Sequence, residues 1–183
     1  MTTTQTQPFL TDVKELRRRA RAQMERGPVT QDYGLDPKQA VAVLQNALAT
    51  EIVCVLRYTM HSIAARGINS QGAKDQFSEH AQEEKEHMEQ IAERINQLGG
   101  TPNFNPEGLA SRSVSEYGKS ELDLVGMINE NLVAERVAIE HYRELVAYFG
   151  EKDPTTRTML EEILSVEEEH ANDMVDLLAV HGG

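Results

Sequence analysis

Cysteine is almost missing from this chain of 183 residues. Cys54 stands alone, which excludes an intrachain disulfide framework and any all-cysteine zinc or iron–sulfur site. Positive charge is also scarce: 18 Lys and Arg face 30 Asp and Glu, a net charge of −12. Such a balance argues against nucleic-acid binding over the whole surface. No run approaches the ~18 apolar residues of a membrane span, and the opening MTTTQTQPFL lacks the basic and apolar regions of a signal peptide. A cytoplasmic location without membrane contact is therefore expected. Strands are missing too, because Val and Ile fall at helical spacing, as in Val41, Leu44, Leu48, Ile52 and Val55.

What is present is long helix, marked out by its punctuation. Asp36-Pro37 is a cap followed by proline at the first helical position, and the pattern runs to Arg66 before Gly67. Ser70 is the expected cap of a second helix that ends at Leu98 before Gly99-Gly100. Ser120-Glu121-Leu122-Asp123 resembles a capping box and opens a third, which stops at Gly150. Asp153-Pro154 repeats the first signal, and the fourth helix runs toward His181. Short links after Arg66 and Phe149 make two antiparallel hairpins. Between them lies TPNFNPEGLASRSVSEYG. About 20 extended residues reach ~65 Å, more than the ~42 Å of a helix of about 28 residues. The connection can thus cross the whole bundle and start the third helix parallel to the second. An all-α, ferritin-like four-helix bundle with a long crossover between helices two and three is the predicted fold.

The expected division is an extension over 1–35 and the bundle over 36–183. Residues 1–27 carry a charge of +3 and the rest −15. Within the extension, residues 11–26 read as a short helix with Thr11 as cap and a thin apolar stripe of Val13, Leu16, Ala20 and Met24. Its arginines between 17 and 21 could touch DNA. The stripe needs cover, however, so packing against a neighbouring subunit is the favoured reading.

The chemistry lies in the bundle. The first helix holds Glu51, the second Glu84 and His87, the third Glu135, the fourth Glu167 and His170. Glu-x-x-His turns both side chains to one helix face. Two such pairs are a weak signal in a chain with 22 glutamates. Agreement between the hairpins strengthens it. The interval from Glu51 to Glu84 differs by a single position from that between Glu135 and Glu167, and Tyr58 and Tyr142 each follow a glutamate by seven. Seven residues come within ~20° of two full turns, so each tyrosine lies on its glutamate's face. Four carboxylates and two imidazoles form the ligand set of di-iron and di-manganese bundles, and suit Fe(II), Mn(II) or Zn.

From Asp36 to His181 the sequence resembles the bacterioferritin-like branch of the ferritin-like superfamily. The resemblance rests on EIVCVLRYTMH with Glu51, Tyr58 and His61, on EEKEH, on VAERVAI and on EEEH. It implies two irons per subunit, with Glu51 and Glu135 as terminal ligands, His87 and His170 completing them, and Glu84 and Glu167 bridging. Haem-binding members carry Met directly after the second-helix glutamate. Lys85 stands there instead, so no haem is expected. Only the short tail from Ala171 to Gly183 follows His170, too little for the extra helix of the larger, twenty-four-subunit shells. That shortness and the N-terminal extension resemble Dps-like miniferritins, which form shells of twelve. Thioferritin members of that hybrid class carry a cysteine pair, against Cys54 alone.

The resemblance implies an iron-storing ferroxidase that oxidises Fe(II) with O2 or H2O2 inside a homo-oligomeric shell. Tyr58 and Tyr142 are its candidate hydrogen-bond or redox partners beyond the metal ligands. The alternatives are manganese catalase-like peroxide disproportionation and a non-enzymatic DNA-protecting scaffold. Of the other candidates, His61 reads as a core or inner-surface residue and Cys54 as a small buried hydrophobe. His80, His141 and His181 read as surface groups.

Overall fold

The computed structural model describes residues 12–67 and 69–181, and no strand occurs among them. Six α-helices follow in chain order: α1 (Val13–Ala20), α2 (Pro37–Ala64), α3 (Ser70–Gln97), α4 (Leu109–Arg112), α5 (Leu124–Phe149) and α6 (Pro154–His181). The four long ones form the expected bundle, with α2 packed on α3, α5 on α6, and the two hairpins closed through α2–α5 and α3–α6 contacts.

Proline at the first position of α2 and α6 costs no hydrogen bond and presets the helical φ. Asp36 Oδ1 accepts the Lys38 N–H at 2.9 Å, and Asp153 Oδ1 accepts that of Thr156 at 3.0 Å. Two expected starts differ. Ser70 does not cap α3: its hydroxyl donates instead to the Gly67 carbonyl at 2.9 Å, and Asn69 holds the cap position. The capping box at Ser120 is not used either, because Asp123 itself accepts the Gly126 N–H at 2.8 Å and α5 begins at Leu124.

The crossover is fastened stepwise along α2. Gln45 donates to the Thr101 carbonyl at 2.8 Å, Thr50 Oγ1 accepts the Val114 N–H at 3.1 Å, and Arg57 Nη1 donates to the Glu116 carbonyl at 2.6 Å. His61 Nε2 lies 3.2 Å from the Lys119 carbonyl. From Gln45 to His61 these anchors cover about 24 Å of helix. Gly118 permits a close approach: it has φ +86°, and a β-carbon there would meet Arg57 Cδ at 3.0 Å. The crossover therefore delivers α5 to the end of the bundle where α3 begins, parallel to it.

Two apolar cores fill the bundle. One gathers Leu44, Leu48, Ile91, Ile95, Phe149 and Leu160 around Tyr142, the other Phe77, Met127, Ile128 and Met174 around Tyr58. By length and composition α2 passes as a membrane span, against the expectation that no such segment exists, with a window of mean hydropathy 1.5. Half of that window is buried inside the bundle, and Glu51, Arg57 and His61 are among the buried residues of the helix. Its apolar character is that of a core helix.

The extension is shorter in helix than expected. Asp12 caps α1 by accepting the Lys14 N–H at 2.8 Å, α1 ends at Ala20, and a single 3-10 turn covers Met24–Arg26. Thr11 lies outside the described residues. Val13, Leu16 and Met24 are 57%, 50% and 74% exposed, so nothing among the described residues covers the stripe.

One buried ion pair locks the closing turn of the second hairpin to the first. Arg94 on α3 donates from Nη2 to both Asp153 oxygens at 3.0 Å and from Nε to Thr156 Oγ1 at 2.7 Å. Tyr33 donates to the same carboxylate at 2.7 Å. Asp153→Ala strands a buried guanidinium and removes a cap, with an expected loss of about 3–5 kcal/mol. Urea denaturation monitored by circular dichroism measures it.

Candidate metal centre

Between the two cores all four long helices turn acid or imidazole inward. Glu51 comes from α2, Glu84 and His87 from α3, Glu135 from α5, Glu167 and His170 from α6, and all six are buried. All six candidates from the sequence thus meet in one place. His87 Nδ1 lies 3.0 Å from Glu167 and 3.6 Å from both Glu51 and Glu84. His170 Nδ1 lies 3.7 Å from Glu84 and 3.9 Å from both Glu135 and Glu167. Two four-residue sets result, Glu51–Glu84–His87–Glu167 and Glu84–Glu135–Glu167–His170, each with ligand atoms within 4.8 Å of one another. Glu84 and Glu167 belong to both.

The inner atoms are orphaned. Glu51 Oε2, Glu135 Oε2, both oxygens of Glu84 and of Glu167, and Nδ1 of each histidine are buried with no hydrogen-bond partner among the described residues. Buried polar atoms are ordinarily paired, so eight left open toward one spot form a donor set for cations. Carboxylate oxygen with imidazole nitrogen suits iron, manganese or zinc.

The tyrosines hold the outer oxygens. Tyr58 donates to Glu135 Oε1 and Tyr142 to Glu51 Oε1. The seven-residue spacing puts each tyrosine on the face of its own helix's glutamate, and from there it bonds the glutamate of the other hairpin. Seven residues amount to about 10.5 Å along the axis, beyond the reach of the preceding glutamate, whereas the facing helix lies within reach.

The remaining candidates sort differently. Cys54 is buried beside Arg57 Nη2 at 3.4 Å, with its thiol pushed well up by burial and by the Glu84 charge. His61 is buried, fastened to the crossover and to Asn131. His141 and His181 are partly buried rather than fully exposed. His80 overturns the surface expectation. It is fully buried and stacks on His170 with ring centroids 3.8 Å apart. Burial and the charge of His170 lower its pKa to about 4. Sequence reasoning also missed Glu83, whose Oε2 lies 2.8 Å from His170 Nε2. The signal for His80 was available: it precedes Glu84 by four residues and His87 by seven, which is one helix face.

Mutual compensation sets the protonation of the cluster. Burial raises the Glu51 carboxyl to about 8, with the Glu84 charge adding to the shift. Burial and Glu84 likewise push up Glu135 and Glu167. Burial opposes the charge on Glu84, but the His170 and His87 imidazoles beside it hold its carboxyl well below the usual range. The histidines are raised against their own burial. Glu167, Glu51 and Glu84 push His87 far up, and Glu84 with Glu135 brings His170 to about 9.

The sequence profile described as the ferritin-like domain matches residues 41–180. The chain belongs to the ferritin-like family. This ferritin-like chain is 32% identical to the dodecameric thioferritin of Bacteroides fragilis, a bacterioferritin-related protein, with a TM-score of 0.77 over 81% of this chain and 89% of that one. It is 31% identical over 140 residues to the nutrient stress-induced DNA-binding protein of a Synechococcus strain, covering 74% of this chain and 78% of that protein. The DNA protection during starvation protein of Pyrococcus furiosus is 29% identical over 147 residues, covering 79% and 80%. The ferritin-like bundle is thus that of a Dps-like miniferritin.

The metal-free ferritin-like bundle carries its own pH dependence. His170, raised from 6.5 to about 9, contributes stability that is fully present below pH 6.5 and lost as pH rises through 9. Glu51, raised from 4.5 to about 8, retains a proton the unfolded chain has released, so stability falls across that window too. Glu84 acts oppositely, but only at acid pH. Between pH 6 and 9 the Tm of the metal-free protein is expected to drop by about 5 °C or more, and saturating Zn(II) to abolish the drop. Differential scanning calorimetry checks both.

Proposed function

We propose that residues 36–183 form a ferroxidase bundle that oxidises Fe(II) with O2 or H2O2 and passes the ferric product to a store inside a closed shell. The observation that carries this reading is the pair of four-residue sets sharing Glu84 and Glu167, with their inward atoms unpaired among the described residues. Fe(II) is the substrate here. Glu51 with His87 would hold one ion, Glu135 with His170 the other, and Glu84 and Glu167 would span both. Side by side, two Fe(II) supply the two electrons that one H2O2 takes up with two protons to leave two waters, so hydroxyl radical is not released.

The residues of this chain set the stage for that reaction. Glu84, held ionised, offers the first full negative charge to an arriving cation. Protons must leave His87 and His170 as their Nδ1 atoms take up metal, which makes loading favour higher pH. Tyr58 and Tyr142, whose own pKa values are pushed well up by burial and by Glu135 and Glu51, keep their protons. They fix one oxygen of each terminal glutamate so that the other faces inward. The cores on either side exclude water.

Manganese catalase-like turnover of H2O2 uses a closely similar ligand set and is the rival enzymatic reading. Metal analysis of the purified protein, with oxygen evolution from H2O2 measured alongside, separates the two. In the ferroxidase reading Glu84→Ala with Glu167→Ala slows Fe(II) oxidation by at least about 100-fold, and Tyr58→Phe with Tyr142→Phe by about 10-fold. Stopped-flow absorbance of Fe(III) formation checks both. An unchanged rate in the glutamate pair would show the site to be misassigned.

Two further parts of the reading draw on the relatives. The dodecameric thioferritin supports a shell of twelve copies of this 20.5 kDa chain. Light scattering is expected to give twelve times the chain mass, and a value twice as large would mean a shell of twenty-four. Two relatives are named for DNA binding or DNA protection, and α1 with its C-cap residue presents Arg17, Arg18 and Arg21 to solvent. Its bare apolar stripe still favours packing against a neighbouring copy over a grip on DNA. A gel shift at low salt that disappears on removal of residues 1–27 would reverse that preference.

A further inference from the structure

The two halves of the bundle match at every inner group and part company one helical turn further out. Counted from Glu51 and Glu135, Tyr58 is matched by Tyr142, but Cys54 by Ala138, Arg57 by His141 and His61 by Leu145. One side of the centre thus carries an arginine where the other carries an imidazole. His141 is only partly buried, and burial lowers its pKa, so it stays neutral. Arg57 is 2% exposed, and a guanidinium has no neutral form within reach.

Two arginines are buried among the described residues, and their surroundings differ. Arg94 lies against the Asp153 carboxylate. No carboxylate of the described residues comes within 4.0 Å of the Arg57 guanidinium. Its Nη1 donates to the Glu116 carbonyl and its Nη2 to the Cys54 thiol, both neutral acceptors, and Nε has no partner among the described residues. A buried charge without a counter-ion is costly, and a neutral amide would anchor the crossover as well. The charge itself therefore calls for a use. Through Nη2 the side chain reaches Cys54, which lies about 4.5 Å along the axis from Glu51, and the next residue, Tyr58, holds Glu135. Burial opposes the charge, yet the acids around it, Cys54, Tyr58, Glu135 and Glu84, raise the Arg57 pKa overall. Glu135 and Glu84 both belong to the Glu84–Glu135–Glu167–His170 set.

We propose that Arg57 is a built-in repulsive charge that makes the centre release its product: it weakens the hold on Fe(III) more than on Fe(II), and more at the Glu135–His170 position than at the Glu51–His87 position. The proposal rests on the reading of the centre given above. Four carboxylates balance two divalent ions, and no charge in the layer is then left to offset Arg57. Oxidation adds one positive charge to each ion, and the Coulomb cost of standing near a fixed cation grows with ionic charge. Fe(III) beside Glu135 carries the largest share of that cost. The Glu51 side, where Tyr142 follows the neutral His141, is spared it. Some driving force for oxidation is given up, and in exchange ferric product leaves, from one side first.

Calorimetric titration of the metal-free full-length protein with Zn(II), and with Ga(III) in competition with citrate, tests the charge without any oxidation chemistry. Arg57→Gln keeps an N–H for the Glu116 carbonyl and loses the charge. It is expected to bind Zn(II) about 10-fold and Ga(III) about 30-fold more tightly than the wild type, because one energy per unit charge counts twice for the first ion and three times for the second. Arg57→Lys, which keeps the charge, is expected to stay within about 3-fold of the wild type for both ions. A residue that merely held the fold would give the opposite sign, since its loss loosens the donor set. Unchanged or weaker binding in Arg57→Gln overturns the proposal, and so does an equal gain for the two ions. If Arg57→Gln does not fold, His141→Arg decides: a second cation on the matching side is expected to weaken Zn(II) about 10-fold, and unchanged affinity overturns the proposal. A wild type that binds no Zn(II) would sink the reading of the centre itself, and this proposal with it.

Discussion

Burying four carboxylates and two imidazoles in one layer is the constraint to which the rest of the fold answers. An isolated buried charge costs several kcal/mol, and this chain buries six titratable groups where an ordinary bundle would have leucine. The layer is tolerable because its members compensate one another. Two imidazoles take up positive charge against one firmly ionised glutamate, Glu84, while burial holds the protons on the others. The apolar cores above and below supply the burial energy that the layer itself does not. A metal ion changes who compensates whom, and not the need for compensation.

Rigidity follows from the same constraint. Donor atoms packed this closely on four helices tolerate little sliding of one hairpin against the other. The Arg94–Asp153 pair at one end and the crossover anchors from Gln45 to His61 along α2 fix the register. The crossover is thus more than a connector, since its carbonyls satisfy Arg57 and face His61, polar groups that would otherwise lie unpaired beneath it.

Much of this was legible in the sequence because it is written locally. Helix starts at Asp36 and Asp153, the i, i+3 pairs and the near-equal glutamate intervals of the two hairpins all follow from helical geometry along a single segment. What was illegible depends on contacts between segments. Ser70 and Ser120 carry the right chemistry for caps, but Gly67 and Asp123 offered better arrangements. The tyrosines were placed on the right face, yet their partners lie across the bundle. His80 was misread because a histidine one turn before a ligand pair has no fixed meaning until the ring it stacks on, His170, is brought in from α6.

The exchanged tyrosines have an architectural consequence. Tyr58 of the first hairpin completes the glutamate of the second, and Tyr142 of the second completes that of the first. Neither hairpin can therefore build half a centre alone, however well it folds. The arrangement is reciprocal in the way a twofold dimer interface is, where one patch serves both partners. Two identical hairpins docked about an axis would satisfy every one of these contacts with half the genetic information. What the covalent crossover adds is freedom from that equality: once both halves lie on one chain, position 80 can be histidine while position 163 is isoleucine, and one side of a symmetric centre can acquire a neighbour that the other lacks.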